Sequence, residues 1–189
     1  MTMTRWDSGF TIPRGGSRWA APFQLPRRVV LARARNRLLA AALDDEDWVL
    51  WLDVDVTEYP PDVLRRLLAT ERDIVAPHCV SSPGGPTFDW NSWREQGEVR
   101  MDALRDGPEL VRLDAVGGTM LLIRADLHRE GLVFPPYLYG ERSRFARDPN
   151  PYTGRGAGEV ETEGLGIMAK DMGYECWGMP RLEVIHPNR

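Results

Sequence analysis

The sequence predicts a single α/β domain whose sheet is at least partly parallel. Segments with helical spacing of apolar residues alternate along the chain with short apolar runs that are typical of buried strands. The 189 residues, of which 42% are hydrophobic and 28% charged, are enough to bury a substantial core. This length fits one domain better than two.

The composition argues against some functional classes. A formal net charge of -4 and a pI near 5.5 disfavour a nucleic-acid binder that depends on a strongly basic surface. Lys170 is the only lysine among 24 basic residues, which leaves 23 arginines. This bias reflects either codon usage or the suitability of guanidinium groups for phosphate recognition. No apolar run approaches the roughly 18 residues of a membrane span, and the N-terminus lacks a secretory signal, so we expect the chain as given to be soluble.

Regular structure is expected to begin after an irregular arm. Residues 1–28 contain five arginines, several prolines and glycines, and no sustained periodicity. They are therefore separated from a folded domain over residues 29–189. The segment VVLARARNRLLAAAL opens this domain and predicts an amphipathic helix. The apolar arc of that helix is predicted to consist of Leu31, Ala34, Leu38, Leu39 and Ala42.

Strand and helix signals continue after the first helix. The acidic run 44–47 ends the helix, and WVLWL predicts the first strand. Pro60 and Pro61 suit the first turn of a second helix. The segment DIVAP predicts the next strand. The buried face of the second helix is predicted to consist of Leu64, Leu67 and Leu68.

The middle of the chain combines long polar segments with one clear strand. Residues 78–110 are polar and glycine-rich, contain FDWNSW, and are expected to form a loop over a site. TMLLIR predicts a strand, and ADLHREG a short helix after it. Residues 140–158 are rich in Gly, Pro and Arg and are interpreted as a mobile lid.

The C-terminal part predicts one more helix and one more strand. ETEGLGIMAKDMG has helical spacing, with Leu165, Met168 and Met172 on one face. The final apolar run, in CWGMPRLEVIHPNR, predicts a strand that ends just before His186.

Two carboxylates, Asp53 and Asp55, follow directly after the first strand. Side chains at i and i+2 of an extended chain point to the same side, so these carboxylates repel each other unless a cation lies between them. Ligands of α/β sheets bind outside the carboxyl ends of strands. Carboxylate oxygens suit Mg²⁺ or Mn²⁺, which in turn neutralises a diphosphate. The alternative is an ordinary pair of surface acids.

Arg35 lies within the apolar arc of the first helix, whereas Arg33 and Arg37 lie on the opposite side. A guanidinium that points inward must meet a carboxylate or a phosphate, because an unpaired buried charge is costly. An ion pair with Asp53 or Asp55 and direct contact with a diphosphate both satisfy this requirement.

Further candidates stand at the ends of later elements. Glu161 shares an arc with apolar residues of its helix, whereas Glu163 faces elsewhere; a first-turn carboxylate also simply complements the helix dipole. Gly117 and Gly118 permit close backbone approach to a ligand or form a turn. His186 ends an apolar strand, where a histidine is either structural or a ligand.

A zinc site is not expected. Cys79 and Cys176 form neither a disulfide framework nor a zinc motif, and whether they pair is left open. His78 and His128 lack ligand spacing with His186.

Six segments together resemble the fungal Golgi mannosyltransferase family of mannan polymerase subunits. They run in the same order from about Val29 to His186. The resemblance implies an α/β fold of the GT-A type, with the Rossmann-like mixed sheet of nucleotide-diphospho-sugar transferases, and a location in the Golgi lumen. The segments are LARARNRLL, WVLWLDVDV, DIVAPHCV, FDWNSWRE, DAVGGTMLLIRADLHREGLVFPPY and ETEGLGIMAKDMGYECWGMPRLEVIH.

The resemblance also implies an activity. It is the metal-dependent, retaining transfer of mannose from GDP-mannose to an α-1,6-mannan or N-glycan acceptor, with Mn²⁺ or Mg²⁺ as cofactor. A UDP-sugar donor is one alternative. Another is a non-catalytic subunit that binds homologous mannosyltransferase subunits. Nothing in residues 1–28 matches the first strand and helix of such enzymes, so the chain either diverges there or lacks them.

The resemblance assigns roles to the donor side of the site. Asp53 and Asp55 would bind the metal and the sugar nucleotide, and His186 would be the remaining protein ligand. Arg35 and Asn36 would face the diphosphate or brace the carboxylates.

It also assigns roles around the sugars. Gly117 and Gly118 would border the donor sugar, and Glu161 and Glu163 would contact reacting or acceptor hydroxyls. The implied acceptor contacts are Asp89, Asn91 and Trp93.

Overall fold

The computed structural model describes residues 7–13, 20–151, 153–154, 156 and 158–187. Its residues form a mixed α/β domain with one five-stranded mixed sheet and a separate two-stranded sheet. None of the helices within these ranges has both the length and the apolar character required to cross a membrane.

The first helix, α1, spans Ala21–Ala42 and begins well before Arg28, so the expected irregular arm is wrong over its last residues. Pro22 stands at the start of the helix, where a missing N–H costs no hydrogen bond, and the helix also accommodates Pro26. Residues 7–13 have no helix or strand. Residues 1–6 and 14–19 of the predicted arm lie outside the described ranges.

The buried face of α1 differs from the predicted apolar arc. Leu38 is 60% exposed and Ala42 is also exposed, whereas Arg28, Ala32 and Leu39 are buried. The face is rotated because α1 packs against a later helix through its arginines as well as its apolar residues. Charge pairing therefore outweighs the apolar pattern in orienting this helix.

The main sheet has the strand order β1-β6-β2-β7-β5. β1 pairs antiparallel with β6, β6 antiparallel with β2, β2 parallel with β7, and β7 antiparallel with β5. The predicted, partly parallel sheet is thus confirmed. The strands are β1 (Trp48–Leu52), β2 (Ile74–Val80), β5 (Val111–Leu113), β6 (Met120–Arg124) and β7 (Cys176–Ile185).

Three of these strands, β1, β2 and β7, run in the same direction. Their carboxyl ends therefore meet at one edge of the sheet, where the amino end of antiparallel β6 also arrives. The Asp53 N–H donates to the Thr119 carbonyl over 2.9 Å, and the His186 N–H donates to Val80 over 2.9 Å. This pairing brings segments that are distant in sequence to the same edge.

Three further α-helices follow α1 within the described ranges. They are α2 (Val63–Leu68), α3 (Ala125–Arg129) and α4 (Glu161–Asp171). In α2, Val63 and Leu67 are buried, but Leu64 is 42% exposed, because the predicted face is offset by one residue from the one that meets the sheet. The start of α4 is buried on every side, since residues 161–169 are all buried.

The stretch 78–110 contains more regular structure than the expected loop. Its first residues extend β2, and β3 (Trp93–Arg94) pairs with β4 (Val99–Arg100) in the small sheet. Both faces of the central strands are covered, since Ile74 and Leu121 pack in one apolar cluster and Val75 and Leu122 in the other. Such burial on both faces explains why these strands read as continuous apolar runs.

Candidate active site

A cavity of about 590 Å³ opens at the edge of the sheet where β1, β2 and β7 end. This volume lies within the range of small-molecule sites, about 300–1,000 Å³. Its wall combines charged, polar and aromatic side chains from α1, the strand ends and the segment after β2. These residues include Arg27, Arg28, Arg35, Asp53, Asp55, Phe88, Asp89, Trp90, Asn91, Gly118, Thr119, Glu161 and His186.

Arg35 points inward, as predicted, and contacts both sides of the cavity. Its Nη2 lies 3.3 Å from Asp53 Oδ1 and donates to the Gly118 carbonyl over 3.2 Å, and its other amino group pairs with Glu161. Burial lowers the pKa of Arg35 and raises the pKa of Asp53, although each attracts the other's charge. Desolvation therefore exceeds the mutual attraction at both groups.

Asp55 and His186 are in direct contact. The imidazole Nε2 lies 3.0 Å from Asp55 Oδ1, and the buried ring stacks on Phe88 with ring centres 3.9 Å apart. Stacking holds the imidazole plane with one ring nitrogen toward the carboxylate. The sheet thus joins two residues that are 131 positions apart in the chain, 186 minus 55, as the sequence prediction required.

The donor set fits a divalent metal ion in part. Two neighbouring ligands of an octahedral ion, each about 2.1 Å from it, are about 3 Å apart, which matches the spacing of Asp55 and His186. Asp53 instead bonds to Arg35. Within the described ranges, no three His, Cys, Asp or Glu side chains converge as a preformed metal cluster.

Glu161 enters the site through an unusual backbone conformation. Its φ is +57°, a left-handed region that costs a non-glycine residue roughly 1–3 kcal/mol. Its N–H donates to the Pro135 carbonyl over 2.9 Å, and its carboxylate meets both Arg28 and Arg35. These charged contacts offset the backbone strain. The left-handed conformation directs the side chain of Glu161, the first residue of α4, to the cavity wall.

A buried ion-pair chain continues from the cavity into the protein. Four carboxylates alternate with three guanidinium groups, and consecutive members are in contact. An alternating series satisfies charges that would be costly to bury singly. In order of contact, the chain consists of Asp53, Arg35, Glu161, Arg28, Glu163, Arg147 and Glu159.

The far end of the ion-pair chain carries a carboxyl group with a strongly perturbed pKa. Glu159 is fully buried, and its Oε1 lies 2.6 Å from Arg147 Nε. Burial, reinforced by the nearby Glu163 charge, raises the pKa of Glu159 to about 7. Arg28 and Arg147 hold the pKa of Glu163 below its usual value despite its burial.

Asp89 fixes the backbone beside the glycine pair. Its Oδ2 accepts hydrogen bonds from the Thr119 N–H and hydroxyl over 3.1 and 2.8 Å. A Cβ at Gly117 would lie 2.0 Å from the same oxygen, and a Cβ at Gly118 would lie 2.6 Å from Arg35 Nη2. Glycine is therefore required at both positions by neighbouring side chains of the site.

Four of the predicted site residues do not line the cavity. The Asn36 amide exchanges two hydrogen bonds with the Phe134 backbone, over 2.7 and 2.9 Å. Gly117 lies behind Asp89. Trp93 and Glu163 are buried, and the indole N–H donates to Glu163 Oε1 over 2.6 Å. The sequence interpretation that Glu163 faces away from the core is wrong, because Arg28 and Arg147 draw it inward.

Five residues of the site and its ion-pair chain were not predicted from the sequence: Arg28, Arg147, Phe88, Thr119 and Trp90. Arg28 fell within the segment interpreted as an irregular arm, and Arg147 within the segment interpreted as a lid. Of that lid, residues 152, 155 and 157 are not described. Spacing from Arg35 offered one signal, since Arg28 lies seven residues, or about two helical turns, earlier on the same face.

The cysteines and the remaining histidines do not line the cavity. Cys79 and Cys176 are buried free thiols, and burial raises the pKa of Cys176 to about 12. His78 bonds through its two ring nitrogens to the Pro180 carbonyl and the Thr87 hydroxyl. These contacts support the loop beside the cavity.

Comparisons with known proteins agree on one family. The sequence model described as Anp1 matches residues 10–105 and 98–138. The chain is 32% identical over 218 residues to the mannan polymerase I complex VAN1 subunit of Saccharomyces cerevisiae, covering 95% of this chain and 37% of that protein. It is 30% identical over 199 residues to the mannan polymerase II complex anp1 subunit of Schizosaccharomyces pombe, covering 86% and 42%.

A third relative is the mannan polymerase complex subunit MNN9 of Candida albicans. It is 27% identical over 209 residues, covering 90% of this chain and 52% of that protein. The chain thus spans about half the length, or less, of the curated relatives it matches.

Proposed function

The chain belongs to the Anp1 family, and from that premise we propose that it is a subunit of a mannan polymerase assembly whose cavity binds a sugar-nucleotide donor. The proposal includes a GT-A type fold and a location in the Golgi lumen. Its main support is the convergence of Arg35, Asp53, Asp55 and His186 on one cavity at the carboxyl edge of the sheet. Ligands of α/β sheets bind at this edge.

The proposed reaction is retaining transfer of mannose from GDP-mannose to an α-1,6-mannan or N-glycan acceptor. Asp55 and His186 would hold Mn²⁺ or Mg²⁺, since their spacing matches two neighbouring ligands. Such an ion neutralises the charge that develops on the leaving diphosphate. Arg35 would contribute to the same neutralisation, because its guanidinium lies in the cavity wall beside Asp53 and the Gly118 carbonyl.

The other side chains of the site position groups rather than move protons. In retaining transfer, the acceptor can attack from the face that the leaving group vacates, and the phosphate can take the proton. A dedicated base is then unnecessary. Glu161 accordingly holds Arg28 and Arg35 in place and adds negative charge beside the donor sugar.

Donor-binding calorimetry tests this proposal most directly. We expect GDP-mannose to bind with Mn²⁺ and much more weakly without it, and UDP-sugars to bind weakly under both conditions. Asp55→Ala is expected to abolish the metal dependence and the turnover of GDP-mannose. Glu58→Ala, which removes a nearby exposed carboxylate outside the cavity wall, is the matched control. Equal turnover by Asp55→Ala and the parent chain would refute the assigned site.

A non-catalytic subunit is the second candidate. It is favoured by the engagement of Asp53 with Arg35, which leaves a two-residue rather than a three-residue ligand set within the described ranges. Under this alternative, the chain binds a homologous mannosyltransferase subunit tightly and without metal. Sedimentation of the mixed chains, together with absent donor binding in calorimetry, would select it over the catalytic proposal.

A further inference from the structure

Trp90 is a large aromatic side chain that is 67% exposed even though it lines the candidate active-site cavity. An indole ring left in water at the wall of a ligand cavity offers a large apolar contact area. The neighbouring Trp93, which the sequence analysis proposed as an acceptor contact, is fully buried and bonds to Glu163. Of these two indoles, Trp90 is therefore the one that a ligand can reach.

The orientation of the Trp90 ring is set by contacts at two points. Its indole N–H donates to the Thr87 carbonyl over 3.0 Å, and its own carbonyl accepts a hydrogen bond from Arg100. The Arg100 guanidinium carbon also lies 5.6 Å from the ring centre. A ring held in this way loses little conformational entropy when a ligand stacks on it.

Arg100 connects this ring to a second cavity. The second cavity has a volume of about 390 Å³, and Arg100 is part of its wall. The wall also contains Gln96, Glu98 and Asp148, so it offers both hydrogen-bond donors and carboxylate acceptors. Carboxylates beside arginines disfavour a phosphate ligand and favour neutral hydroxyl groups.

We propose that Trp90 is a stacking platform for a sugar ring of the acceptor, and that the acceptor chain continues past Arg100 into the second cavity. A pyranose presents a face of C–H groups that matches an indole ring, and its hydroxyls lie at the ring edge, where they reach polar side chains. This inference rests on the proposed function, because it takes the sugar on Trp90 to be the one nearest the donor.

Binding of mannose oligosaccharides without donor tests the inference. Saturation-transfer NMR on the full chain, with mannose and with oligosaccharides of two to four mannose units, measures affinity against length. We expect affinity to rise with length. Trp90→Ala is expected to weaken binding of every oligosaccharide about tenfold, which corresponds to a loss of roughly 1.4 kcal/mol. Trp90→Phe is expected to restore most of the affinity.

Two further variants separate the parts of the proposed path. Glu98→Ala is expected to remove the gain from additional sugar units and leave binding of mannose unchanged. Tyr137→Ala removes an aromatic residue that is 56% exposed but lines neither cavity, so it should bind like the parent chain.

The outcomes distinguish this inference from the proposed function. Saccharide binding that is undetectable in the parent chain, or equal in Trp90→Ala and the parent, would overturn the inference. Calorimetry with GDP-mannose and Mn²⁺ on the same parent sample reports the donor site separately. Failure of donor binding together with Trp90-dependent saccharide binding would overturn the proposed transfer and leave a glycan-binding surface.

Discussion

Replacing Glu159 with glutamine should change how stability depends on pH. Glu159 is fully buried at the end of the ion-pair chain, where burial and Glu163 raise its pKa from 4.5 to about 7. Below about pH 4.5, the carboxyl is protonated in both the folded and the unfolded chain. Between pH 4.5 and 7, the folded protein retains a proton that the unfolded chain loses, so the free energy of unfolding falls as pH rises.

The size of this effect follows from the pKa difference. Each pKa unit corresponds to about 1.36 kcal/mol, so charging Glu159 costs the folded protein on the order of 3 kcal/mol more than the unfolded chain. Glu159→Gln keeps an oxygen for Arg147 Nε and removes the titrating group. The variant should therefore gain stability relative to the parent chain by roughly this amount between pH 4.5 and 8.

Urea denaturation followed by circular dichroism, at a series of pH values, measures the difference. Glu159→Gln also loses the weak 3.4 Å contact from the Asn150 amide. This loss would lower the free energy of unfolding of the variant by the same amount at every pH and would leave the shape of its pH profile unchanged. Glu141→Gln, which neutralises an exposed carboxylate, should follow the parent profile. Parallel profiles for Glu159→Gln and the parent chain would refute the assignment of a buried, proton-retaining carboxyl.

Two other predictions concern the arginines of the ion-pair chain. Gly118→Ala places a Cβ 2.6 Å from Arg35 Nη2 and 2.7 Å from Thr162 Cγ2, so we expect the Arg35 guanidinium to be displaced. Calorimetry should then show at least tenfold weaker donor binding, while the helix content stays unchanged. Unaltered donor affinity would show that Arg35 does not contact the donor. Arg28→Met removes one of the cationic partners of Glu163 and should lower the free energy of unfolding, measured by urea denaturation, by about 3–5 kcal/mol. Adding Glu163→Gln to the same chain should recover part of this loss. If the free energy of unfolding of Arg28→Met fell by less than about 1 kcal/mol, water would be taking the place of the guanidinium beside Glu163.

Periodicity and local pattern explain where the sequence analysis succeeded. The apolar run of β1 ends before Asp53 and that of β7 ends before His186, so the first polar residue after each apolar run marks the end of the strand. The inward direction of Arg35 also followed from helical spacing. The family was also recognisable from the sequence, and the Anp1 match covers five of the six segments on which the resemblance rests.

Local pattern was misleading where charge or register decided the outcome. The buried face of α1 includes Arg28, which pairs with Glu161, 133 residues further along the chain. Local pattern also failed to separate Trp90 from Trp93. The two residues are three positions apart in a polar segment, yet Trp90 is exposed and Trp93 is buried. The backbone pairing of Trp93 with Arg100 and with Ala115 places its indole against Glu163.

The amino-acid sequence by itself determined the order of the α-helices and of strands β1, β2, β6 and β7, but not the short strands β3, β4 and β5, and it placed an acid pair at one strand end. Both are consequences of interactions over a few residues, for which hydrophobic periodicity is sufficient. The tertiary structure alone decided which charges meet, because the strand order brings Asp55 to His186 and α1 to α4. The energies of such contacts depend on desolvation and distance between segments that are remote in sequence, and no local pattern encodes either quantity.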